Sequence, residues 1–469
     1  MGSGGNAART EYWPAQAPDT NTVNSAAWEF DPSSIGENES IISISPSGKH
    51  ILAVERIQVS VDDRFEAGIP NALGKRVQQV SLYTINNGIY ARTAQWRGAD
   101  LATDPGFINT LAVANLDSVA WSQDETRAVI TVGFSEARQN IHNTRSDIYL
   151  VDFTAQSFEN MTGAYNDGSH HNLLPQWIDS DEICYVRLQI GIMYSGLMGM
   201  NLRTGEERIL SVLSDDSGPR GTVMDYDIYG DKVYYSFSSI EGLESSGFYS
   251  ADIGGGSSAP TLLLSAMDMR NDGTHGYITH AAFLSVEVSP DGRWASLTVL
   301  DQRFIMRDIP LAEDIVTGGT VIPAQHDPGS AISVVHGTEW IPSHNVFLYD
   351  LHNGTFVNPF ISSALQPDVV IVTAATFAPD GGALLCAVYG DGGPWVSDSF
   401  GETALYLIRL DGSAFEAVRV FRRTLRLYTP DMLFWLGNNS IVLRPFGGGP
   451  APPNPVEIIK PAAFESFGG

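Results

Sequence analysis

A chain of 469 residues, 43% of them apolar, carries enough carbon to bury a large core, which excludes wholesale disorder. Its formal charge of −27 repels phosphates, so it excludes a nucleic-acid partner and an anionic membrane surface while leaving cations, basic proteins and neutral glycans. No run of about 18 apolar residues occurs, so no segment reads as a transmembrane helix.

The chain opens on Met1-Gly-Ser-Gly-Gly-Asn-Ala-Ala, small and polar, without a hydrophobic signal core. That opening reads either as an expression remnant or as the flexible start of a mature bacterial lipoprotein, with Met1 where the lipidated Cys would stand. Residues 1–24 are accordingly set apart as a flexible segment or tag, and 461–469 as a tail. Between them, residues 25–460 read as one β domain made of short β-rich runs punctuated by Gly, Asp, Asn and Pro.

The runs repeat. Ile44-Ser45-Pro46-Ser47-Gly48 leads into Ile51–Val54, and Ala120-Trp121-Ser122-Gln123-Asp124 leads into Ala128–Val132. Degenerate copies follow at Gln176–Asp181 and Asp227–Asp231. Val288-Ser289-Pro290-Asp291-Gly292 then precedes Trp294–Leu300, and Phe377-Ala378-Pro379-Asp380-Gly381 precedes Leu384–Val388; a last degenerate copy is Phe434–Asn438. The turn chemistry is explicit: Pro sets φ at the first corner, Asp or Asn bonds back to the backbone, and Gly takes positive φ. Most copies have a second half, such as Asp147–Asp152, Leu197–Asn201, Gly247–Asp252, Val346–Asp350 and Ala404–Ile408. Seven first halves can be counted. Six units are complete, and the seventh, from Met432 onward, has two good strands and a weak third at Val456–Lys460.

This pattern predicts an all-β fold, a single β-propeller of about seven four-stranded blades, with six as the alternative. The run Ala26–Phe30 has no first half of its own and would supply the missing strand that closes the ring. Trp121, Trp177, Trp294 and Trp435 fall at strand positions and read as core. Cys184 and Cys386 lie in separate units, too far apart for a disulfide, and read as buried free thiols compatible with cytosol or periplasm.

The Ser-Pro-Asp-Gly and Ala-Pro-Asp-Gly turns, followed by Leu-Tyr or Ile-Tyr strands ending near Asp, resemble the TolB-type (WD40-like) propeller repeat, which also occurs in prolyl-oligopeptidase propellers. The resemblance implies a propeller serving as a platform for protein partners, in a bacterial envelope. The chain lacks the small α/β domain that precedes the TolB propeller, and it contains no Gly-x-Ser-x-Gly elbow of a hydrolase.

Connection lengths divide the ends of the units. First-to-second and third-to-fourth connections are tight and share one face; the long connections Gln58–Arg76, Ser135–Ser146, Ser238–Ser246, Asp301–Asn345 and Gly390–Glu402 share the other with the between-unit links. On that face two between-unit segments echo each other, Tyr165–His171 and Arg270–His275. Asp167, His170, His171, Asp272, His275 and His280 are therefore candidate ligands for a divalent cation, Ca, Mn or Zn, although their spacing matches no metal motif and Asn-Asp-Gly is itself a tight-turn sequence. The large insertion holds His326, His336, Glu339, Trp340 and His344, and reads as a lid or docking loop. Trp96, Tyr194, Phe304, Trp340 and Trp395 lie in or beside long loops and are candidate partner-binding anchors.

The reading these observations favour is a non-catalytic interaction module, extracytoplasmic (periplasm or cell surface), that binds a protein partner through the long-connection face. The alternative is a metal-assisted lyase or hydrolase acting on a carbohydrate or small ester at the channel mouth. Self-association in a larger assembly is the third reading.

Overall fold

The computed structural model describes residues 35–36, 39–58, 76–86, 89–97, 115–135, 144–163, 170–189, 194–212, 220–254, 260–271, 278–306, 334–335, 338–359, 371–389, 403–410, 415–423, 433–436, 440–443 and 457–459. These residues are almost entirely β-strand, arranged as a succession of antiparallel meanders. The first unit is β1 (Glu39–Ile44), β2 (His50–Gln58), β3 (Arg76–Asn86) and β4 (Ile89–Arg97). The second is β5 (Asn115–Trp121), β6 (Arg127–Ser135), β7 (Thr144–Asp152) and β8 (Ser157–Asn160). The third is β9 (His170–Trp177), β10 (Glu182–Gln189), β11 (Tyr194–Asn201) and β12 (Glu207–Val212), joined to the second by a single parallel bridge between Ser146 and His171.

β13 (Gly221–Tyr229), β14 (Lys232–Ser239), β15 (Gly247–Asp252) and β16 (Thr261–Ser265) form the fourth unit, followed by the short helix α1 (Ala266–Asn271). The fifth is built on β17 (Ile278–Val288), β18 (Trp294–Met306), β20 (Thr338–Asp350) and β21 (Thr355–Val357), with β19 (Val334–Val335) added beside β20. β22 (Ile371–Phe377), β23 (Ala383–Tyr389), β24 (Thr403–Arg409) and β25 (Glu416–Arg423) make the sixth. β26 (Leu433–Leu436), β27 (Ser440–Leu443) and β28 (Glu457–Ile459) are the three strands of a seventh among the described residues. Residues 1–34 and 460–469, including the run Ala26–Phe30, lie outside the described residues.

The repeated turns form as their chemistry dictates. Gly48, Gly292 and Gly381 take φ of 71°, 69° and 75°, and the Asp291 carboxylate caps the turn by accepting from Ser289 Oγ and from the Arg293 N–H. In the second unit Glu125 stands where the others have Gly, at φ 53°. Its carboxylate binds the preceding unit's turn instead, accepting from Ser45 Oγ at 2.9 Å, the Ser47 N–H at 2.7 Å and Ser47 Oγ.

A second periodicity is invisible in sequence. In all six four-stranded units the first strand is bulged against the second, at Ile41/Ser43, Leu116/Val119, Leu174–Pro175, Val223/Asp225, Phe283/Ser285 and Val372/Ala374. Each first strand has a second edge whose backbone groups need partners, and the neighbouring unit supplies them. Asp225 accepts from the Val286 N–H, Asp227 from the Val288 N–H, and Glu287 from the Phe377 N–H; Ser195 Oγ takes the Val223 N–H. Ring donors act in the same sense. Trp121 Nε1 donates to Ser43 Oγ, Trp177 Nε1 to the Ala120 carbonyl, Tyr226 to the carbonyls of Leu174 and Cys184, and Trp435 Nε1 to the Thr376 carbonyl.

The core is correspondingly a series of layers between consecutive units. Leu52, Val54, Val80 and Leu82 meet Val119, Trp121, Val132 and Tyr149; further along, Val186 and Leu197 meet Val223, Tyr226, Tyr235 and Phe237. The next layers are centred on Phe248, Phe283 and Phe347, and on Trp294, Phe377 and Tyr406. Trp121 is buried to 1% exposure, and Trp294 and Trp435 are also buried, whereas Trp177 is half-buried against Arg127. Cys184 and Cys386 are buried free thiols, and burial pushes the Cys386 thiol far above its usual range. Among the described residues no helix is long and apolar enough to cross a membrane.

Candidate functional site

The two ends of the units differ in construction. At the tight-turn end, each unit is fastened to the next: Glu125 on the Ser45 turn, Arg127 on the Ser180 carbonyl, and Arg208 on the Ile253 carbonyl. Tyr229 lies so close to Gly292 that a Cβ there would sit 2.1 Å from its ring, and the Gly381 turn rests on Pro290 and Asp291. This end is a structural floor. The opposite end carries the long connections, most of which lie outside the described residues, so the candidate site is built from the strand ends that reach it.

One such place is where β9 enters beside β7. His170 and His171, read from sequence as loop residues, open the strand instead, with Gln189 and Leu188 as their partners in β10. The β10 ladder continues through both, and a bridge from Ser146 to His171 also joins the strand to β7. His171 Nδ1 lies 3.1 Å from Ser146 Oγ. Burial lowers its pKa, with the Asp147 carboxylate pulling the other way, so at neutral pH the ring is uncharged. Asp147 is fully buried and accepts from Asn160 Nδ2 at 3.1 Å and Thr162 Oγ1 at 3.4 Å.

One strand pair further, Arg187 binds Glu207 in a two-pronged ion pair at 2.6 and 2.9 Å, donates to Tyr185 Oη, and donates through Nε to Asn172 Oδ1 at 3.0 Å. Burial opposes the Arg187 charge, but Glu207 and Tyr185 outweigh it and hold the guanidinium protonated; burial drives the Tyr185 hydroxyl far up. Nothing in the motif pattern marks this network. The available signal was an Arg inside the otherwise apolar run Ile183–Leu188.

The second place is the fifth unit. Its insertion, expected as a lid or docking loop, is framed by strand on both sides. β18 and β20 each run thirteen residues and pair along their whole length, from Trp294–Asp350 to Met306–Thr338. β17 accompanies them as far as the Ile278–Arg303 pair. The second strands of the other four-stranded units have seven to nine residues. At about 3.3 Å per residue, thirteen residues span about 43 Å, so β18 and β20 form a ribbon extending toward the long-connection end. The register brings two of the expected anchors together: Phe304 and Trp340 are direct cross-strand partners.

Other expected site residues fare differently. Asp167, Asp272, His275, His326, His336 and Trp395 lie outside the described residues. His280 pairs with Gln302 on β17, and Tyr194 opens β11 opposite Gln189. Trp96 is half-buried at the end of β4, its ring 5.4 Å from Phe158 of the second unit, which is a packing role. Among the described residues no three His, Cys, Asp or Glu side chains gather as a metal site.

No family model matches this chain, and no curated protein sequence matches it. Solved structures that resemble it include an oligogalacturonate lyase from Vibrio parahaemolyticus, 10% identical over 92% of this chain and 93% of that one, with a TM-score of 0.49. The β-propeller domain of the Trilobed protease from Pyrococcus furiosus is 10% identical over 86% and 88%, TM-score 0.42. TolB from Acinetobacter baumannii is 14% identical over 81% and 78%, TM-score 0.35. These are likenesses of overall architecture, and none assigns an activity, ligand or partner.

Proposed function

We propose that this chain is a seven-bladed β-propeller that binds a protein partner through its long-connection face, with the ribbon of the fifth unit as the principal contact. The ring reading is supported by the order of the contacts, since each first strand bonds to the first strand of the next unit. It is also supported by the first unit, whose face away from the second unit is made of Ile41, Ile44, Ile51, Ala53, Tyr83 and Tyr90. Ile51 and Ala53 there are fully buried, and in a closed ring the seventh unit covers that face.

The observation that carries the partner reading is the register that sets Phe304 opposite Trp340 on the ribbon. Aromatic residues are enriched among the anchors that dominate protein interfaces. Pro342 lies on the far edge of β20, between the β19 pairing at Glu339 and the Ile371 bridge at His344. A Pro there leaves no N–H for strand addition, so the ribbon offers a face and withholds its edge.

The test is the double variant Phe304→Ala/Trp340→Ala, isolated from native cells beside the unaltered protein. Loss of a stoichiometric co-purifying protein, with folding and melting temperature unchanged, supports the reading. Unchanged co-purification removes the ribbon from it. Turnover of a carbohydrate or ester with a bound divalent ion would replace it by the metal-assisted lyase or hydrolase.

A further inference from the structure

We infer that the seam between the second and third units is an opening line, hinged at the tight-turn end and able to part at the long-connection end. The hinge is apolar and stapled. Ala120, Val129 and Ile148 pack on Ile183, Tyr185, Met198 and Met200; the Trp177 indole donates to the Ala120 carbonyl at 3.0 Å, and Arg127 stacks 5.0 Å over Trp177.

Above that layer the same seam turns polar. Strand alternation puts Ser118, Thr131 and Ser146 next on the second unit's face, and Asn172 and Arg187 next on the third's. All but Arg187 are buried, and the Arg187 side chain is only 19% exposed. Two groups in this layer are bonded within their own units. Ser118 and Thr131 bond each other at 2.9 Å, and Arg187 is held by Asn172, Tyr185 and Glu207 of its own unit. Ser146 and His171 bond across the seam, at the parallel bridge.

Asn172 Nδ2 is fully buried and has no hydrogen-bond partner among the described residues. A closed seam therefore carries the penalty of an unmade bond, and admitting water or a ligand's oxygen atom relieves it. The neighbouring seams are built differently at the same level: Val54 and Val80 meet Val132 on one side, and on the other Val186 and Leu197 meet Val223 and Phe237 while Ser195 Oγ ties the seam by accepting from the Val223 N–H. Parting apolar layers exposes carbon to water, whereas parting this one hydrates groups that are already polar.

Amide hydrogen exchange tests this on the intact chain. Peptides covering 144–148 and 170–173 are expected to exchange about tenfold faster than 194–197 and 220–224, which lie at the same level of the next seam. Two variants act on the seam alone. Ser146→Cys/His171→Cys places a disulfide across the bridge, confirmed by thiol counting, and Ser118→Ala/Thr131→Val removes both ends of a hydrogen bond and makes the layer more apolar. Both are expected to slow the first pair of peptides and leave the second pair alone. Equal rates in the unaltered protein overturn the inference, as do rates that Ser118→Ala/Thr131→Val leaves unchanged or raises. Where the disulfide forms, unchanged rates in the cross-linked protein overturn it too.

Discussion

Acidification should weaken the contact between the first two units through one side chain, His50. Its ring is buried between units, 5.2 Å from Phe153 and stacked on Trp121 at 6.2 Å with planes 15° apart, and its Nδ1 lies 3.0 Å from Thr84 Oγ1. Burial lowers its pKa from 6.5 to about 4; Lys49 adds to the depression and Glu125 opposes it. The native state therefore binds the proton less tightly than the unfolded chain, so stability is fully present above about pH 6.5. It falls as pH drops through the unfolded value and stops falling below about pH 4. A shift of about 2.5 units corresponds to about 3 kcal/mol lost across that window.

His50→Phe keeps an aromatic ring in the stack and removes the titration. Urea midpoints followed by Trp fluorescence from pH 7.5 to 4.5 should shift relative to each other: the unaltered protein loses stability over the window, and the variant loses about 2.5 kcal/mol less. His171 titrates in both proteins and cancels in the difference. Parallel pH curves for the two proteins would refute the assignment of the window to His50.

Further outcomes follow from the turns and strand edges. Glu125→Gly relieves the positive φ but loses the bonds to Ser45 and Ser47, whereas Glu125→Ala loses the bonds and keeps the strain; Ala should be less stable than Gly by about 1 kcal/mol in chemical unfolding. Gly292→Ala must drive a methyl group into Tyr229, while Gly354→Ala, at φ +68° with nothing closer than 3.5 Å, meets only backbone strain. The first should lower the melting temperature clearly more than the second, and equal shifts would deny the contact. Asp225→Ala strands the Val286 N–H and should cost about 1–3 kcal/mol. Protein purified without chelator is expected to carry no stoichiometric divalent ion by mass spectrometry and to melt at the same temperature with EDTA; a near-stoichiometric ion would return attention to His170 and His171.

The repeat was legible because its turns are local. Pro, Asp and Gly within four residues determine Ser289–Gly292 and Ala378–Gly381 without help from the rest of the chain. The short third strand of the last unit, β28, was likewise expected within a residue at each end. What sequence did not carry is register and neighbourhood. The recurring first-strand bulge leaves no compositional mark, because Thr373 or Leu284 extrudes as readily as Pro175. The Phe304–Trp340 pairing spans a connection of more than thirty residues and depends on where two long strands meet. His170 and His171 looked like loop because Asn166-Asp167-Gly168 precedes them, yet pairing with Gln189 and Leu188 of β10 makes them strand. Trp96 looked exposed because it precedes a long connection, and Phe158 of another unit covers it.

Site-specific photo-cross-linking in native cells addresses docking through the long-connection face most directly. A benzophenone amino acid would replace Trp340 on the ribbon in one protein and the exposed Thr204 of the tight-turn end in another. The account predicts a discrete cross-linked protein from position 340 and none from 204. A discrete product from 204 with none from 340 would contradict it.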